Sequence, residues 1–461
     1  MLTDMAKITT DTHRRSESRI TGQPPSRLVA GASVYFRKVL AALSGFVVLG
    51  LSGCTEPAGK DEQRIRYACW GRPEQQRAAR ALADAFEERH PDIRVDVSVM
   101  GYGQYFRQIQ AMMVGKVAPD VFMIGVNYYD EWAARGVLMD VTDEMDALEE
   151  KGEIMPMPRK AVERDGRVYA LPVAVMGSVS YVNLEAFQAA GIEIPDEQNW
   201  NWEKLVDLAP RLSRRSGMEN TPTDYAMDPP PPIVLLRDRG VDLFDDRYHP
   251  QEVTVNRPEA REAVRFFRML HEKGFVVPAE VGMDEGYLEL FRDGNVAIFF
   301  GSFMTSTAFR EHVEFEWDVL PFPKGKVSSE APMGSVSLGI WNETRNEEAA
   351  RKFVRFAASP EGARINMREL RTQPIYREIA YGDEFLGISP PDSMHVFSDT
   401  MEEGGSAPIL YTPGIQELNR IVANRFSQAI AYPEISEEEV IGGLELDLNR
   451  WLDKMRDRGI F

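Results

Sequence analysis

Trp70, Tyr102, Tyr105, Tyr128 and Phe303 offer flat apolar surfaces, and Asn127, Ser302, Ser335 and Asn419 offer uncharged donors and acceptors. Together these residue types suit a ligand with apolar faces and a hydroxylated rim, such as a sugar ring. A ring face stacks on an aromatic plate while its hydroxyls take hydrogen bonds from planar polar groups beside it. Trp70 ends the apolar run at 65–70 just before Gly71, and Phe303 follows the run at 296–300 and the pair Gly301-Ser302. Strand ends of this kind are where open α/β sheets hold ligands. Tyr102 and Tyr105 lie in a stretch of helical period and serve equally well as core, since large aromatics dominate interiors. The tetrapeptide Gly-Ser-Val-Ser occurs at 177–180 and again at 334–337, Gly334 and Ser335 opening the second copy; its small residues let a backbone approach a ligand or a crossing strand.

The elements that must position these residues are readable from the apolar period. Residues 117–140 run from Pro119-Asp120 through a buried strand at 121–124, turn at Gly125, present Asn127, Tyr128 and Tyr129, and continue as a helix ending at Gly136. Upstream, 65–70 reads as a strand, 74–90 as an amphipathic helix stopped by Pro91, 93–99 as a second strand and 102–113 as a further helix. The order β-α-β-α-β implies a parallel sheet with right-handed crossovers, which brings Trp70 and Asn127 to one edge. Asp120, directly after a proline, reads as a cap or turn residue.

From Ala161 the pattern changes. Arg164-Asp165-Gly166-Arg167 is a hairpin signal, and the strand segment from Val168 to Asn183, interrupted by Pro172 and Gly177, reads as a crossing between lobes. Residues 201–213 and 257–273 are strong helices, and Asp228 with the four prolines 229–232 reads as a stiff surface loop. A short helix at 286–293 and the strand at 296–300 repeat the strand-to-turn geometry at Gly301. A return strand at 317–320, a loop at 321–325, a strand at 333–341 and helices at 347–358, 360–370, 414–431 and 436–456 complete the chain.

Composition bounds the function. With 461 residues, 43% hydrophobic, the chain is long enough for two domains with real cores. The formal net charge of −19 argues against a nucleic-acid partner, because no phosphate counterions would be released. No Gly-x-Ser-x-Gly, His-Glu-x-x-His, Walker or Cys-x-x-Cys motif occurs, and the six histidines are scattered, so neither an enzyme nor a metal centre is expected. Chance pairs among 72 acidic residues leave a secreted glycosidase open, and a cation binder would want a carboxylate-rich cleft. Near the amino terminus, Arg37-Lys38 precede an apolar run at 39–51, too short to span a bilayer and suited to a secretory signal. Residues 1–53 are therefore expected to be leader and signal peptide, and 54–64 a flexible tether. The second cysteine, Cys69, has no base beside it in sequence and reads as a small buried hydrophobe.

Leu51-Ser52-Gly53-Cys54 resembles the bacterial lipoprotein signal, in which the cysteine is lipidated, and this marks Cys54 as a membrane anchor outside the cytoplasm. The rest of the chain resembles the family 1 extracellular solute-binding proteins of ABC importers, the class of the maltose-binding proteins. The resemblance is carried, in order, by residues 118–121, 136–142, 165–172, 181–183, 291–297 and 350–354. It implies the α/β fold of periplasmic-binding proteins of type II: two α/β lobes joined by crossing hinge segments. The lobes are expected at 65–174, with 321–372 returning, and at 175–320, with 373–461 largely belonging to the second. It further implies a non-enzymatic monomer that closes on a small molecule and delivers it to a membrane permease, without a cofactor. Asn127 takes the place of a residue bonding sugar hydroxyls, Ser302 and Phe303 that of a Pro-aromatic stacking pair, and Asn419 that of a stacking aromatic. Met176 stands where maltose-binding proteins place a carboxylate, and Asp224 lies in a loop that often reaches the cleft. A carbohydrate is the expected ligand; a polyamine, peptide or other solute on the same fold is the alternative.

Overall fold

The computed structural model describes residues 62–459 apart from 72, 153, 218–220, 247, 328–330 and 403–413. The leader, the signal and Cys54 lie outside the described residues, as does the tether up to 61. Within the described residues no helix is long and apolar enough to cross a membrane.

The strands are β1 (Gln63–Trp70), β2 (Ile93–Met100), β3 (Val121–Gly125), β4 (Glu163–Arg164), β5 (Arg167–Val168), β6 (Leu171–Asn183), β7 (Tyr225–Met227), β8 (Val296–Ser302), β9 (Trp317–Leu320) and β10 (Met333–Ile340). Their order is β2-β1-β3-β10-β6-β8-β7, with β9 also on β6, and β4 and β5 form a separate hairpin. β1 runs parallel to both β2 and β3, as the alternation of strands and helices requires. In the hairpin, Asp165 and Gly166 sit at φ 52° and 74°, the left-handed pair that lets a two-residue turn follow the twist of its strands.

β6 joins the two halves of the molecule. Residues 171–177 pair with β10, while 178–183 pair with β8 and with β9. The interruptions read at Pro172 and Gly177 do not break it. Pro172 has no N–H to give, and the register of β10 shifts between Val336 and Ser337 beside it, so the ladder absorbs the proline as a bulge.

Two hydrophobic cores flank this shared strand. One is built on β1, β3 and β10 and extends through Tyr181, Phe299, Phe303 and Phe309 to residues 375–401. The other gathers the helices Trp202–Leu212, Pro232–Arg237, Pro258–Glu272, Ile415–Ala431 and Glu437–Asp457. The proline run departs from its expected role as a surface loop. Pro230 is buried, Pro232 opens the helix Pro232–Arg237 at its first position, and that helix is buried along its length. A proline costs nothing there, because the first N–H of a helix has no intrahelical partner.

Asp120 shows why Pro119-Asp120 precedes β3. The residue is 4% exposed; Oδ2 accepts the Arg66 backbone N–H at 2.7 Å and Oδ1 accepts the Thr344 hydroxyl at 2.5 Å. It ties β1 to the turn after β10 and is a structural residue. Cys69 is fully buried, and burial pushes its thiol up to about 12, which leaves it unreactive.

Candidate functional site

The strand directions define a cleft edge. β1, β2 and β3 end at Trp70, Met100 and Gly125, and the antiparallel β10 begins on the same side, Val336 facing Gly125. Across β6, Ser302 at the end of β8 lies opposite Ser178, and the parallel β7 ends beside it at Met227. Carboxyl ends of strands from both halves therefore face one region, the arrangement in which open α/β sheets bind ligands.

Aromatic residues line the first edge. Phe106 lies flat against Tyr128, centroids 3.7 Å apart at 10°, and Trp70 meets Tyr102 and Phe106 at 5.8 and 5.2 Å. Tyr102 is 55% exposed and Trp70 is half-buried, so both present surface to the cleft edge. Tyr105 does not. It has no exposed surface, and its hydroxyl lies 3.1 Å from the Ala68 carbonyl of β1 and 2.8 Å from the Met123 carbonyl of β3. A helix that puts residues 105, 106 and 109 inward leaves Tyr102 one turn ahead at the open end.

Asn127 and Tyr128 open the helix Val126–Ala134 and line a cavity of about 590 Å³. Its opposite wall is Gly414, Gln416, Glu417 and Arg420 at the start of the helix Ile415–Ala431, with Lys454, Met455 and Arg458 from the end of the last helix. The volume is that of an ordinary small-molecule site. Tyr128, stacked on Phe106, is the aromatic side chain of this lining, and Asn127 and Gln416 are its planar amides.

Several sequence-expected contacts fall elsewhere. Phe303 is fully buried between Phe385 and Phe397 at 5.2 and 5.1 Å, so it is a core residue and offers no plate. The glycine before it marks a tight approach instead: a Cβ on Gly301 would stand 2.8 Å from Phe299 and from Thr305. Ser302 is half-buried at the N-cap of the helix Phe303–His312, makes no side-chain cap, and its carbonyl accepts the Tyr181 hydroxyl at 2.7 Å. Gly334 faces Met176 across the β10–β6 ladder, both half-buried, with the Met176 methyl 3.4 Å from where a Cβ on Gly334 would lie. Ser335 is 5% exposed within β10. Asn419 is exposed on the helix that forms the far wall, beside Arg420 but outside the cavity lining.

Asp224 lies at the wrong end of its strand. It precedes β7, bonds through its N–H to the Asn295 carbonyl just before β8, and pairs with Arg214 at 2.9 Å, on the sheet edge opposite Ser302. The carboxylate at the opposite end of β7 is Asp228, which the sequence reading absorbed into the proline run. Asp228 is 8% exposed, accepts the Phe300 N–H at 2.8 Å, and burial holds its carboxyl well above the usual carboxylate range. The histidines that look scattered in sequence also include one assembled group among the described residues. Glu197, His395 and Asp399 bring donor atoms within 4.8 Å of one another, with His395 3.0 Å from Glu197 and Tyr381 donating to Asp399 at 2.6 Å.

Comparison with known proteins agrees with this architecture. Residues 71–364 match the bacterial extracellular solute-binding protein family, and the chain belongs to it. Membership makes it a binding protein that works outside the cytoplasm and not an enzyme. An arabinooligosaccharide-binding protein of Halalkalibacterium halodurans is 25% identical over 72% of this chain and 76% of the relative. A mannitol-binding protein of Pseudomonas aeruginosa is 24% identical over 67% and 73%. Among solved structures, an ABC substrate-binding protein of Listeria monocytogenes in complex with cycloalternan superposes with a TM-score of 0.69 at 20% identity, covering 85% of this chain and all of that one. Maltose-bound MalE3 of T. maritima gives 0.67 at 19% identity, covering 84% and 99%. The fold is the expected α/β fold of type II periplasmic-binding proteins.

Proposed function

We propose that this protein captures a carbohydrate for an ABC importer, holding it in the cavity between the helix Val126–Ala134 and the start of the helix Ile415–Ala431. The observation that carries the reading is the pairing of an aromatic side chain stacked on Phe106, Tyr128, with a planar amide, Asn127, in the lining of a cavity of about 590 Å³. A sugar ring stacks on the first and bonds to the second. Relatives named for arabinooligosaccharide and mannitol binding add weight to a polyhydroxylated ligand.

The lobes divide at 65–174 with 321–372 and at 175–320 with 373–461 largely belonging to the second, residues 375–401 packing in the core built on β1, β3 and β10, and β6 is one of the crossing segments. Ligand favours the closed arrangement because only there does it touch both walls, and the closed form is what a membrane permease recognises. Cys54 carries the lipid that keeps this monomer at the membrane outside the cytoplasm. Trp70 and Tyr102 extend the aromatic surface toward longer ligands, and Met176, Gly334, Ser302 and Asp228 stand near the floor where the halves meet.

A thermal-shift screen of the purified full chain against mono-, di- and oligosaccharides tests the reading. Ligand at a hundredfold excess over its dissociation constant stabilises the native state by about 2.7 kcal/mol, a rise of roughly 3 °C for a fold of this size. Silence across the carbohydrate panel together with a shift for a polyamine or peptide would overturn it.

A further inference from the structure

The charges around the cavity do not cancel. Its two carboxylates are already neutralised: Glu131 by Arg135 at 2.7 Å and Glu417 by Lys454 at 2.8 Å. Arg420 and Arg458 line the same cavity, and neither has an ion pair or side-chain hydrogen bond among the described residues. The described lining therefore carries two uncompensated positive charges in a chain whose formal net charge is −19. The backbone adds to this sign. The helix Ile415–Ala431 starts at Gly414, which is in the left-handed region at φ 84° and gives no side-chain cap, so its first N–H groups and the positive end of its dipole stand at the cavity wall.

Closing the lobes over a neutral ligand would strip water from two guanidinium groups and return no opposite charge, which is unfavourable. A ligand that carries the missing negative charge removes that cost. The planar fork of arginine also matches a carboxylate or phosphate with two parallel hydrogen bonds. From these observations we infer that the ligand of this cavity is an anionic carbohydrate, its acidic group held by Arg420 and Arg458 and its ring by Tyr128 and Asn127. The inference rests on the carbohydrate reading above and narrows it. It also disfavours a cationic ligand such as a polyamine, for which the described lining offers no free carboxylate.

The test is a set of equilibrium titrations of the purified full chain with matched sugars: glucuronate and galacturonate with their short oligomers, the neutral glucose and galactose counterparts, and glucose 6-phosphate. The anionic member of a pair is expected to bind about tenfold or more tightly than its neutral counterpart. In the double variant Arg420→Ala/Arg458→Ala that advantage is expected to disappear, the charged and neutral members of each pair binding within about twofold of one another. Both side chains are exposed, so the variant should keep its melting temperature, which is checked in parallel. Preference for uronate over the sugar phosphate, or the reverse, identifies the acidic group. Neutral sugars binding as tightly as charged ones would overturn the inference and leave the carbohydrate reading standing; failure of every carbohydrate, charged or neutral, would sink both.

Discussion

Replacing Phe303 by Ala separates a core role from a ligand role at the position where sequence and structure disagree most. The ring has no exposed surface and is enclosed by Phe385 and Phe397, with the Arg310 guanidinium 5.8 Å over it. Removing a buried phenyl ring costs about 3–5 kcal/mol in lost transfer energy and residual cavity. Unfolding entropy of about 2.1 cal/mol/K per residue over roughly 400 residues comes to ~0.8 kcal/mol/K, so the melting midpoint should fall by about 4–6 °C. The assay is thermal melting followed by circular dichroism, paired with ligand titration at 20 °C below the variant's midpoint. The expected outcome is the lower midpoint with a dissociation constant within about twofold of the parent. An unchanged midpoint with the ligand response abolished would refute the reasoning and return Phe303 to the binding site.

Three further expectations rest on single groups. Tyr105→Phe removes the hydroxyl between the Ala68 and Met123 carbonyls and should cost about 1 kcal/mol in urea denaturation without altering ligand affinity; lost affinity at full stability would contradict its core assignment. His271 is neutral because burial pushes its imidazole down to about 4, below its unfolded value near 6.5. Its contribution to stability is thus complete above pH 6.5 and is lost as pH falls toward 4, by up to about 3 kcal/mol, and His271→Phe should flatten that part of the curve. Equal acid sensitivity in the two proteins would remove His271 as its cause. Asp228 has the opposite sign: its folded carboxyl lies above the unfolded value, so its ionisation penalises the native state as pH rises out of the carboxylate range. Asp228→Asn, which keeps an acceptor for the Phe300 N–H, should gain stability relative to the parent at pH 8 more than at pH 4; the same difference at both would show that the folded carboxyl is not raised above its unfolded value.

The strands and long helices were legible because apolar runs and helical periods are local signals, and the strand end at Gly125 stands where the sequence puts it, but Asn127 and Tyr128, expected ahead of the helix, lie in its first turn because the helix begins at Val126. Legibility failed where direction mattered. β7 is three residues long and has no periodicity to announce it, so nothing in the sequence said that Asp224 stands before the strand and Asp228 after it. Phe303 was correctly put at the end of β8, yet whether a side chain at the first turn of the next helix points to the cleft or into the core depends on packing against residues 385 and 397, far along the chain. Arg420, Arg458 and the uncapped Gly414 were invisible for the same reason: they become neighbours of Asn127 only through the folded arrangement of the last two helices.

Calorimetric titration of the full chain and of Tyr128→Ala with the tightest carbohydrate of the panel tests the central claim most directly. The account predicts saturable one-to-one binding by the parent, no turnover of the ligand, and a loss of about tenfold or more in the variant when both are titrated well below the variant's own melting midpoint, which the lost stacking on Phe106 lowers. Undiminished affinity in Tyr128→Ala, or release of hydrolysis products during the titration, would contradict it.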